Sequence, residues 1–175
     1  MVIKPSEVTP LTASEFCRIV YEACVPKGVI NMVAGFGKTV GTQLIENPIT
    51  RLISMTGSIR AGQAIYKGAS KNIAGLVLEL GGKAPFIVMD DAEIDKAVEA
   101  AVVARFANCG QVCICNEMVF VHEKIADEFT EKVIERTKKI RVGDPMTDVD
   151  MGPNVSGAGL NRLNELVQQN VAEGA

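Results

Sequence analysis

Short apolar runs and longer amphipathic stretches alternate along the first 80 residues. The apolar runs have the length of strands and lie at residues 29–33, 52–55 and 75–79, and Val2 and Ile3 have the character of the end of another strand. Between these runs, apolar residues recur at helical spacing at Phe16, Ile19, Val20, Ala23 and Cys24, and then at Ala64, Ile65 and Ala69. This alternation predicts a parallel sheet with right-handed crossovers.

The alternation resumes after Gly81 and Gly82, where we expect a second unit to begin. Strands are predicted at residues 85–89 and 118–121. The apolar faces of three helices are formed by Ile94, Val98, Val102 and Phe106, by Ile125, Phe129 and Val133, and by Leu160, Leu163 and Val167. A loop is expected from Gly143 to about Gly159. The sequence thus divides into residues 1–80 and 81–175.

Capping signals indicate where the helices begin and end. Thr12 and Glu15 form a capping box, which predicts the start of the first helix at this point. Pro26 and Gly28 are expected to end that helix.

One helix of the second unit leads towards a candidate nucleophile. Asp90 or Asp91 is expected to cap this helix, which is predicted to end near residues 108–110. Cys113 then lies in or beside a Gly-Gln turn. A thiol that attacks carbonyl groups needs a site that lowers its pKa and leaves the sulfur accessible.

Two glycine-rich turns follow strands in the first unit. Gly35, Gly37 and Gly41 form the pattern G-x-G-x-x-x-G, which is one residue longer than the dinucleotide fingerprint. An ordinary strand-to-helix turn explains this pattern at least as well as a cofactor contact does. The second turn, at residues 56–62, presents backbone N–H groups and a hydroxyl where a phosphate can bind.

A candidate base lies at the same edge of the predicted sheet. Ligands of parallel sheets gather beyond the carboxyl ends of the strands, which is where Ser58 and Glu79 are expected. A carboxylate near Cys113 could activate water to release whatever the sulfur has captured. Because 34 positions separate Glu79 from Cys113, only the fold can bring the two side chains together.

Composition excludes several other classes of function. Apolar residues make up 47% and charged residues 22% of the 175, which is typical of a globular protein. The net charge is −3 without a basic cluster, which argues against a nucleic-acid partner. No apolar run approaches the roughly 20 residues that span a bilayer, so no membrane segment is expected. The first residues also lack the pattern of a signal peptide.

The five cysteines fit reduced thiols in a cytoplasm better than a disulfide framework. Cys17 and Cys24 are interpreted as small packing residues. Cys109, Cys113 and Cys115 invite a metal interpretation, but they form no C-x-x-C pair and the only histidine, His122, sits at a strand end. We therefore predict no metal site.

Two motifs together resemble a known family. Glu79-Leu80-Gly81-Gly82-Lys83-Ala84-Pro85 reads E-L-G-G-K-x-P, and Phe106 to Cys113 reads F-x-N-x-G-Q-x-C. At this separation the pair is similar to the signatures of the aldehyde dehydrogenase superfamily. The resemblance implies that Cys113 and Glu79 are the catalytic pair, whereas taken singly they would be interpreted as a buried thiol and a surface carboxylate. Lys83 is equally compatible with lowering the thiol pKa and with packing.

The resemblance also implies an NAD site. Lys4-Pro5-Ser6-Glu7 is similar to the family's K-P-x-E segment, in which the Lys and Glu reach the adenosine ribose. A carboxylate at Glu7 repels a 2′-phosphate and so favours NAD over NADP. The remaining positions that match cofactor-binding residues are Gly41, Thr56, Gly57, Ser58, Gly62 and Leu80. Met55 stands where the family usually has Phe.

The implied fold is α/β, with residues 1–80 forming part of a parallel, Rossmann-like NAD-binding domain and residues 81–175 part of the α/β catalytic domain. The implied reaction begins when the Cys113 thiolate adds to an aldehyde. Backbone N–H groups near Cys113 and a side-chain amide hold the oxyanion, and hydride passes to NAD. Glu79 then activates the water that hydrolyses the thioester, whereas relatives that pass the acyl group to coenzyme A lack this base.

The segments G-K-A-P-F-I-V-M-D-D-A and G-Q-V-C-x-C look most like the lactaldehyde and glycolaldehyde dehydrogenase branch, with succinate-semialdehyde-type enzymes as close competitors. The substrate is therefore expected to be a small aldehyde. Family members are more than twice this length and are homo-oligomers, dimers or tetramers. We accordingly expect a central fragment that is a poor catalyst alone. A non-catalytic remnant or interaction module is the alternative.

Overall fold

The computed structural model describes residues 1–174. The chain divides into two compact units, Met1–Leu80 and a second that begins at Gly81. The first unit contains β1 (Val2–Ile3), α1 (Leu11–Glu22), β2 (Asn31–Met32), α2 (Thr42–Glu46), β3 (Leu52–Thr56), α3 (Ile59–Ala69) and β4 (Gly75–Glu79). The second contains β5 (Ala84–Val88), α4 (Ile94–Phe106), β6 (Asn116–Val121), α5 (Ala126–Thr137) and α6 (Gly157–Ala172).

The strands form three parallel pairs, β1 with β2, β3 with β4, and β5 with β6. In each pair one helix connects the strands, namely α1, α3 and α4. Parallel strands require such a crossover because the chain must return to the same end of the sheet. The predicted α/β class with parallel strands is confirmed.

The first unit packs α3 against its strands and against α2. The buried residues of α3 are Gly62, Ile65, Gly68 and Ala69, which form one helical stripe. A Cβ at Gly68 would come within 2.6 Å of Cγ2 of Ile45, so a glycine is needed where the two helices meet. The strands β3 and β4 alternate between half-buried and exposed positions, as expected for strands covered on one face.

The second unit has a core of Val88, Val98, Ala101 and Phe129, which come from β5, α4 and α5. Ion pairs join the outer faces of α4 and α5. Arg136 binds Glu99 at 2.6 Å and lowers the pKa of this exposed carboxyl through their hydrogen bonds. Val98 and Phe129 belong to the predicted apolar faces, and they are buried as the spacing indicated.

The two predicted helix N-caps are wrong. The first helix begins at Leu11 with Pro10 as its N-cap residue, so Thr12 already lies inside the first turn and caps nothing. The fixed φ of Pro10 favours the helical conformation at this point. Glu15, the other half of the predicted capping box, instead pairs with Arg18. In α4 the N-cap residue is Glu93 rather than either of the two aspartates before it.

Two further expectations for the first unit change. The predicted strand at residues 29–33 is reduced to Asn31–Met32. Cys24 is exposed rather than packed, because it follows the end of α1 with a φ of 56° and ends the helix in the left-handed conformation. Within residues 1–174, no helix has the length and apolar composition needed to cross a bilayer.

Candidate active site

Glu79 lies beside the predicted phosphate turn at the carboxyl ends of β3 and β4. Thr56 and Glu79 are partners in the parallel register. The N–H of Gly57 donates to the carbonyl oxygen of Glu79 at 2.9 Å, which fixes the turn to the end of β4. Glu79 is exposed, so its carboxylate is accessible to water. The sequence prediction that Ser58 and Glu79 share one edge is in accord with this register.

The turn leads directly into α3, whose first residues offer hydrogen-bond donors. Ser58 is the N-cap residue, and its Oγ accepts from the N–H of Ala61 at 3.2 Å. Its own hydroxyl proton is not consumed by this bond and can be donated to a phosphate oxygen. Helix N-termini carry a partial positive charge and free N–H groups, which favour phosphate. The turn therefore offers donors to which a phosphate group can bind.

Gly62 and Leu80, both predicted to bind cofactor, contact each other. A Cβ at Gly62 would lie 2.9 Å from Cδ2 of Leu80 and 3.2 Å from its Cδ1. Gly62 is buried, and it lies one turn into α3. The absence of a side chain at Gly62 therefore lets Leu80 pack against the start of α3, next to the phosphate turn.

Lys4, Glu7 and Gly41 form a second cluster in the first unit. The Lys4 ammonium donates to the carbonyls of Pro5 at 2.6 Å and Gly35 at 3.0 Å, and its Nζ lies 3.7 Å from Oε2 of Glu7. The aliphatic part of Lys4 lies 3.9 Å from the position of a Cβ at Gly41. Glu7 remains exposed and can accept hydrogen bonds from a ribose. The cluster therefore places an ammonium group and an exposed carboxylate side by side.

Cys113 lies in an exposed turn of the second unit, close to the di-glycine corner. A Cβ at Gly82 would lie 2.6 Å from the carbonyl oxygen of Cys113, so only glycine fits where these two backbones meet. The thiol itself is exposed and free. The E-L-G-G-K-x-P motif and the turn that carries Cys113 therefore meet through Gly82.

The Cys113 loop, residues 107–116, has an unusual backbone. Three consecutive residues have a positive φ, Asn108 at 50°, Cys109 at 59° and Gly110 at 70°. This conformation costs about 1–2 kcal/mol for each residue other than glycine, so other contacts must stabilise it. Some are local, since Gln111 Nε2 donates to the Asn108 carbonyl at 3.0 Å and Asn108 Nδ2 donates to the Gln111 carbonyl at 3.3 Å.

Further hydrogen bonds join the Cys113 loop to the segment at residues 152–155. The Cys109 thiol donates to the carbonyl of Gly152, with Sγ and oxygen 2.9 Å apart. The Val155 N–H donates to Oε1 of Gln111 at 3.1 Å. Cys109 is half-buried, and Cys115 is buried. Among residues 1–174, no group of three metal-binding side chains is close enough to hold an ion.

Ion pairs of Arg141 stabilise the loop at residues 141–150, which precedes residues 152–155. Arg141 binds Asp148 at 2.8 Å and Asp150 at 3.0 Å, and the N–H of Arg141 also donates to Asp150. The hydrogen bonds that Asp150 accepts from the side chain and the N–H of Arg141 lower the pKa of Asp150 to about 2. All three side chains are exposed, so we expect the stabilisation to weaken with salt.

The predicted residues therefore form two clusters in the first unit and one contact in the second. Glu79 belongs to the first unit and Cys113 to the second, and their joint action stays a prediction. Sequence reasoning missed Arg105, whose side chain donates to two carbonyls of the Cys113 loop. A signal for it existed, because Arg105 continues the helical spacing of Val98 and Val102 on the buried side of α4.

Comparison with known proteins identifies the family. The model of the aldehyde dehydrogenase family matches residues 1–175. The chain therefore belongs to the aldehyde dehydrogenase family, and the resemblance inferred from the paired motifs is confirmed.

Several relatives are similar over the whole chain. Lactaldehyde dehydrogenase of Escherichia coli is 48% identical over 177 residues, and 3,6-anhydro-alpha-L-galactose dehydrogenase of a Vibrio species is 45% identical over 176; each match covers 100% of this chain and 37% of the relative. A crystal structure of the E. coli lactaldehyde dehydrogenase superposes with a TM-score of 0.95 over 99% of this chain, at 47% identity. The chain thus spans a little over a third of the length of these relatives.

Proposed function

We propose that this chain takes part in the NAD-dependent oxidation of a small aldehyde to the carboxylic acid, with Cys113 as nucleophile and Glu79 as base. The observation that carries the proposal is the exposed Cys113 thiol, on a loop that contacts Gly82 of the E-L-G-G-K-x-P motif. An attacking thiol must be accessible, and it must sit in a fixed backbone. Family membership over all 175 residues supports the same roles.

The proposed reaction begins when the Cys113 thiolate adds to the aldehyde carbon to form a thiohemiacetal. Backbone N–H groups of the Cys113 loop stabilise the oxyanion. Bound NAD supplies the hydride acceptor. A thioester then remains on Cys113, and Glu79 removes a proton from the water that hydrolyses it. The acid leaves and the thiolate is restored.

We propose NAD as the cofactor, bound by Lys4 and Glu7 at its ribose and by residues 56–58 at its pyrophosphate, with Gly41, Gly62 and Leu80 shaping the site. The exposed Glu7 carboxylate supports NAD because it would repel a 2′-phosphate. Relatives differ on this point. The 3,6-anhydro-L-galactose dehydrogenase structure, with a TM-score of 0.93 and 46% identity, is a complex with NADP.

We propose lactaldehyde, glycolaldehyde or a similar small aldehyde as the substrate. The relatives support this class, since their names include lactaldehyde and D-glyceraldehyde dehydrogenases. Both of these aldehydes carry a hydroxyl on the carbon next to the carbonyl. A succinate-semialdehyde-type activity is the alternative within the family. We further propose that the whole protein acts in the cytoplasm as a homo-oligomer, a dimer or tetramer.

Thiol labelling tests the proposal directly. The chain is treated with iodoacetamide at several pH values, and each of the five cysteines is quantified by mass spectrometry. Cys24 provides the matched internal reference, because it too is exposed and free. We expect Cys113 to be alkylated faster than Cys24, and we expect NAD or lactaldehyde to slow this alkylation.

Other labelling results would contradict the catalytic role or the proposed substrate. Equal and slow labelling of Cys113 and Cys24, without protection by NAD or aldehyde, would contradict the catalytic role and support a non-catalytic interaction module. Protection by succinate semialdehyde but not by lactaldehyde would favour the alternative substrate. NADH formation from lactaldehyde is measured in parallel, and we expect it to be slow in the chain alone and absent in Cys113→Ser.

A further inference from the structure

The guanidinium of Arg105 lies at the base of the Cys113 loop and donates to two of its carbonyls. Nη1 donates to the carbonyl of Asn116 at 3.0 Å, and Nη2 donates to that of Gly110 at 3.2 Å. Gly110 and Asn116 each lie three residues from Cys113. One side chain therefore connects the two ends of the turn that carries the thiol.

The position of Arg105 is itself well fixed. Its side chain is only 35% exposed, and Nη1 also lies 3.7 Å from the carboxylate of Glu117. A Cβ at Gly110 would collide with Nη2 of Arg105 and lie 3.1 Å from the Arg105 carbonyl. Glycine at 110 thus provides both the positive φ and the space that the guanidinium occupies.

Asn116, whose carbonyl accepts from Arg105, is also held in place by its own side chain. It is 5% exposed, and its Nδ2 donates to the Ala101 carbonyl at 3.1 Å, one helical turn before Arg105. The carbonyl that Arg105 binds therefore belongs to a residue fixed on the buried face of α4. Because the same guanidinium also binds the Gly110 carbonyl, it fixes the other end of the turn relative to Asn116.

We propose that Arg105 is a positioning residue that holds the Cys113 loop in its left-handed conformation, and so places the thiol for attack. Its role in placing a nucleophile rests on the function proposed above, whereas its role in holding the loop does not. Lysine cannot replace it fully, because a single ammonium does not offer the two separate nitrogens that face the two carbonyls. A non-polar residue of similar length would leave both carbonyls without this donor.

Hydrogen exchange and thiol labelling of four proteins test this inference, namely the unmodified chain, Arg105→Met, Arg105→Lys and Arg162→Met. Arg162 is exposed on α6 in the same unit, so its variant is the matched control for loss of charge and change of side chain. We expect amide exchange within residues 107–116 to rise about tenfold in Arg105→Met and by less in Arg105→Lys. The ratio of Cys113 to Cys24 alkylation rates should fall about threefold in Arg105→Met.

Each other outcome decides against part of the inference. Exchange in Arg105→Met equal to that in Arg162→Met would overturn it. So would a rise spread over β5, α5 and α4, since that indicates general destabilisation. Faster exchange in the loop without a fall in the alkylation ratio would refute the positioning of the thiol. If Cys113 and Cys24 react equally in the unmodified chain, the proposed function fails, while the exchange data still decide whether Arg105 holds the loop.

Discussion

Gly82 and Cys113 meet so closely that a Cβ at Gly82 would lie 2.6 Å from the carbonyl oxygen of Cys113. The neighbouring Gly81 has open space at the same position. The two glycines of the E-L-G-G-K-x-P motif therefore have different physical roles. The second is required by the backbone of the loop that carries the thiol, and the first is not required by any close contact.

This difference predicts opposite effects of alanine at the two positions. Gly82→Ala should destabilise the chain by about 1–3 kcal/mol, because the opposing atom belongs to the backbone and cannot move aside. Gly81→Ala is the control and should be neutral or stabilising by about 0.4–1 kcal/mol, through a less flexible unfolded state. Urea denaturation measures both. Equal effects of the two substitutions would contradict the close approach.

Loss of the Glu79 carboxylate should trap an acyl group on Cys113. The chain is acylated with 4-nitrophenyl acetate, and the mass of the protein is followed after excess reagent is removed. In Glu79→Gln the acyl group should be released about 10²–10⁴ times more slowly, because no general base activates water. Glu165→Gln, an exposed change on α6, should behave like the unmodified chain. Undiminished release in Glu79→Gln would remove Glu79 from the mechanism.

The charge of Glu7 should determine the choice between NAD and NADP. Removing it in Glu7→Gln ends the repulsion of the 2′-phosphate, while the side chain keeps an acceptor for the ribose. Calorimetric titration should show the preference for NAD reduced by about tenfold, chiefly through tighter binding of NADP. Glu22→Gln changes an exposed carboxylate of α1 and should leave the preference intact. An unchanged preference in Glu7→Gln would indicate that another group distinguishes the ribose of NAD from that of NADP.

The contact between Gly62 and Leu80 predicts an effect whose sign depends on the partner. Gly62→Ala gains about 1 kcal/mol of helix propensity in α3, but it places a Cβ against the Leu80 side chain. In the unmodified background we expect net destabilisation of about 1 kcal/mol. In a Leu80→Ala background the same change should stabilise. A double-mutant cycle by urea denaturation would show no coupling if the two residues were independent.

Acid should release the segment held by Arg141. The pKa of Asp150 is lowered to about 2 by its hydrogen bonds with Arg141. A lowered pKa stabilises the folded state above the unfolded value near 3.9, and this stabilisation is lost as the pH falls from there through about 2. Amide protection of Arg141 and Asp150, followed by NMR, should therefore persist at pH 3 and disappear below pH 2. Asp150→Asn should abolish this dependence, and loss of protection already at pH 4 would contradict it.

Most elements of the fold followed from the sequence because their signals are local. The apolar runs at β3, β4 and β5 and the helical spacing of α4 and α5 depend on neighbouring residues alone. The errors also have local causes. A capping box at Thr12 competes with Pro10, whose fixed φ starts the helix earlier, and the pattern contains no measure of which signal is stronger.

The residues of the candidate site were also predicted where their signals are local. Its residue types, including Cys113, Glu79 and the turn at residues 56–58, were identified because they form motifs that are read without a structure. The register that sets Thr56 beside Glu79 follows from parallel pairing, which the alternation of strands and helices also predicts.

The sequence by itself determined the class of fold and the family, and it supplied the candidate catalytic residues. Only the tertiary structure decided that Gly82 must be glycine, that Arg105 connects both ends of the Cys113 loop, and that Cys109 donates to Gly152. Cys109 and Gly152 are 43 positions apart in the chain. The reason is physical: such contacts depend on how distant backbones approach in space, and neither composition nor periodicity records that distance.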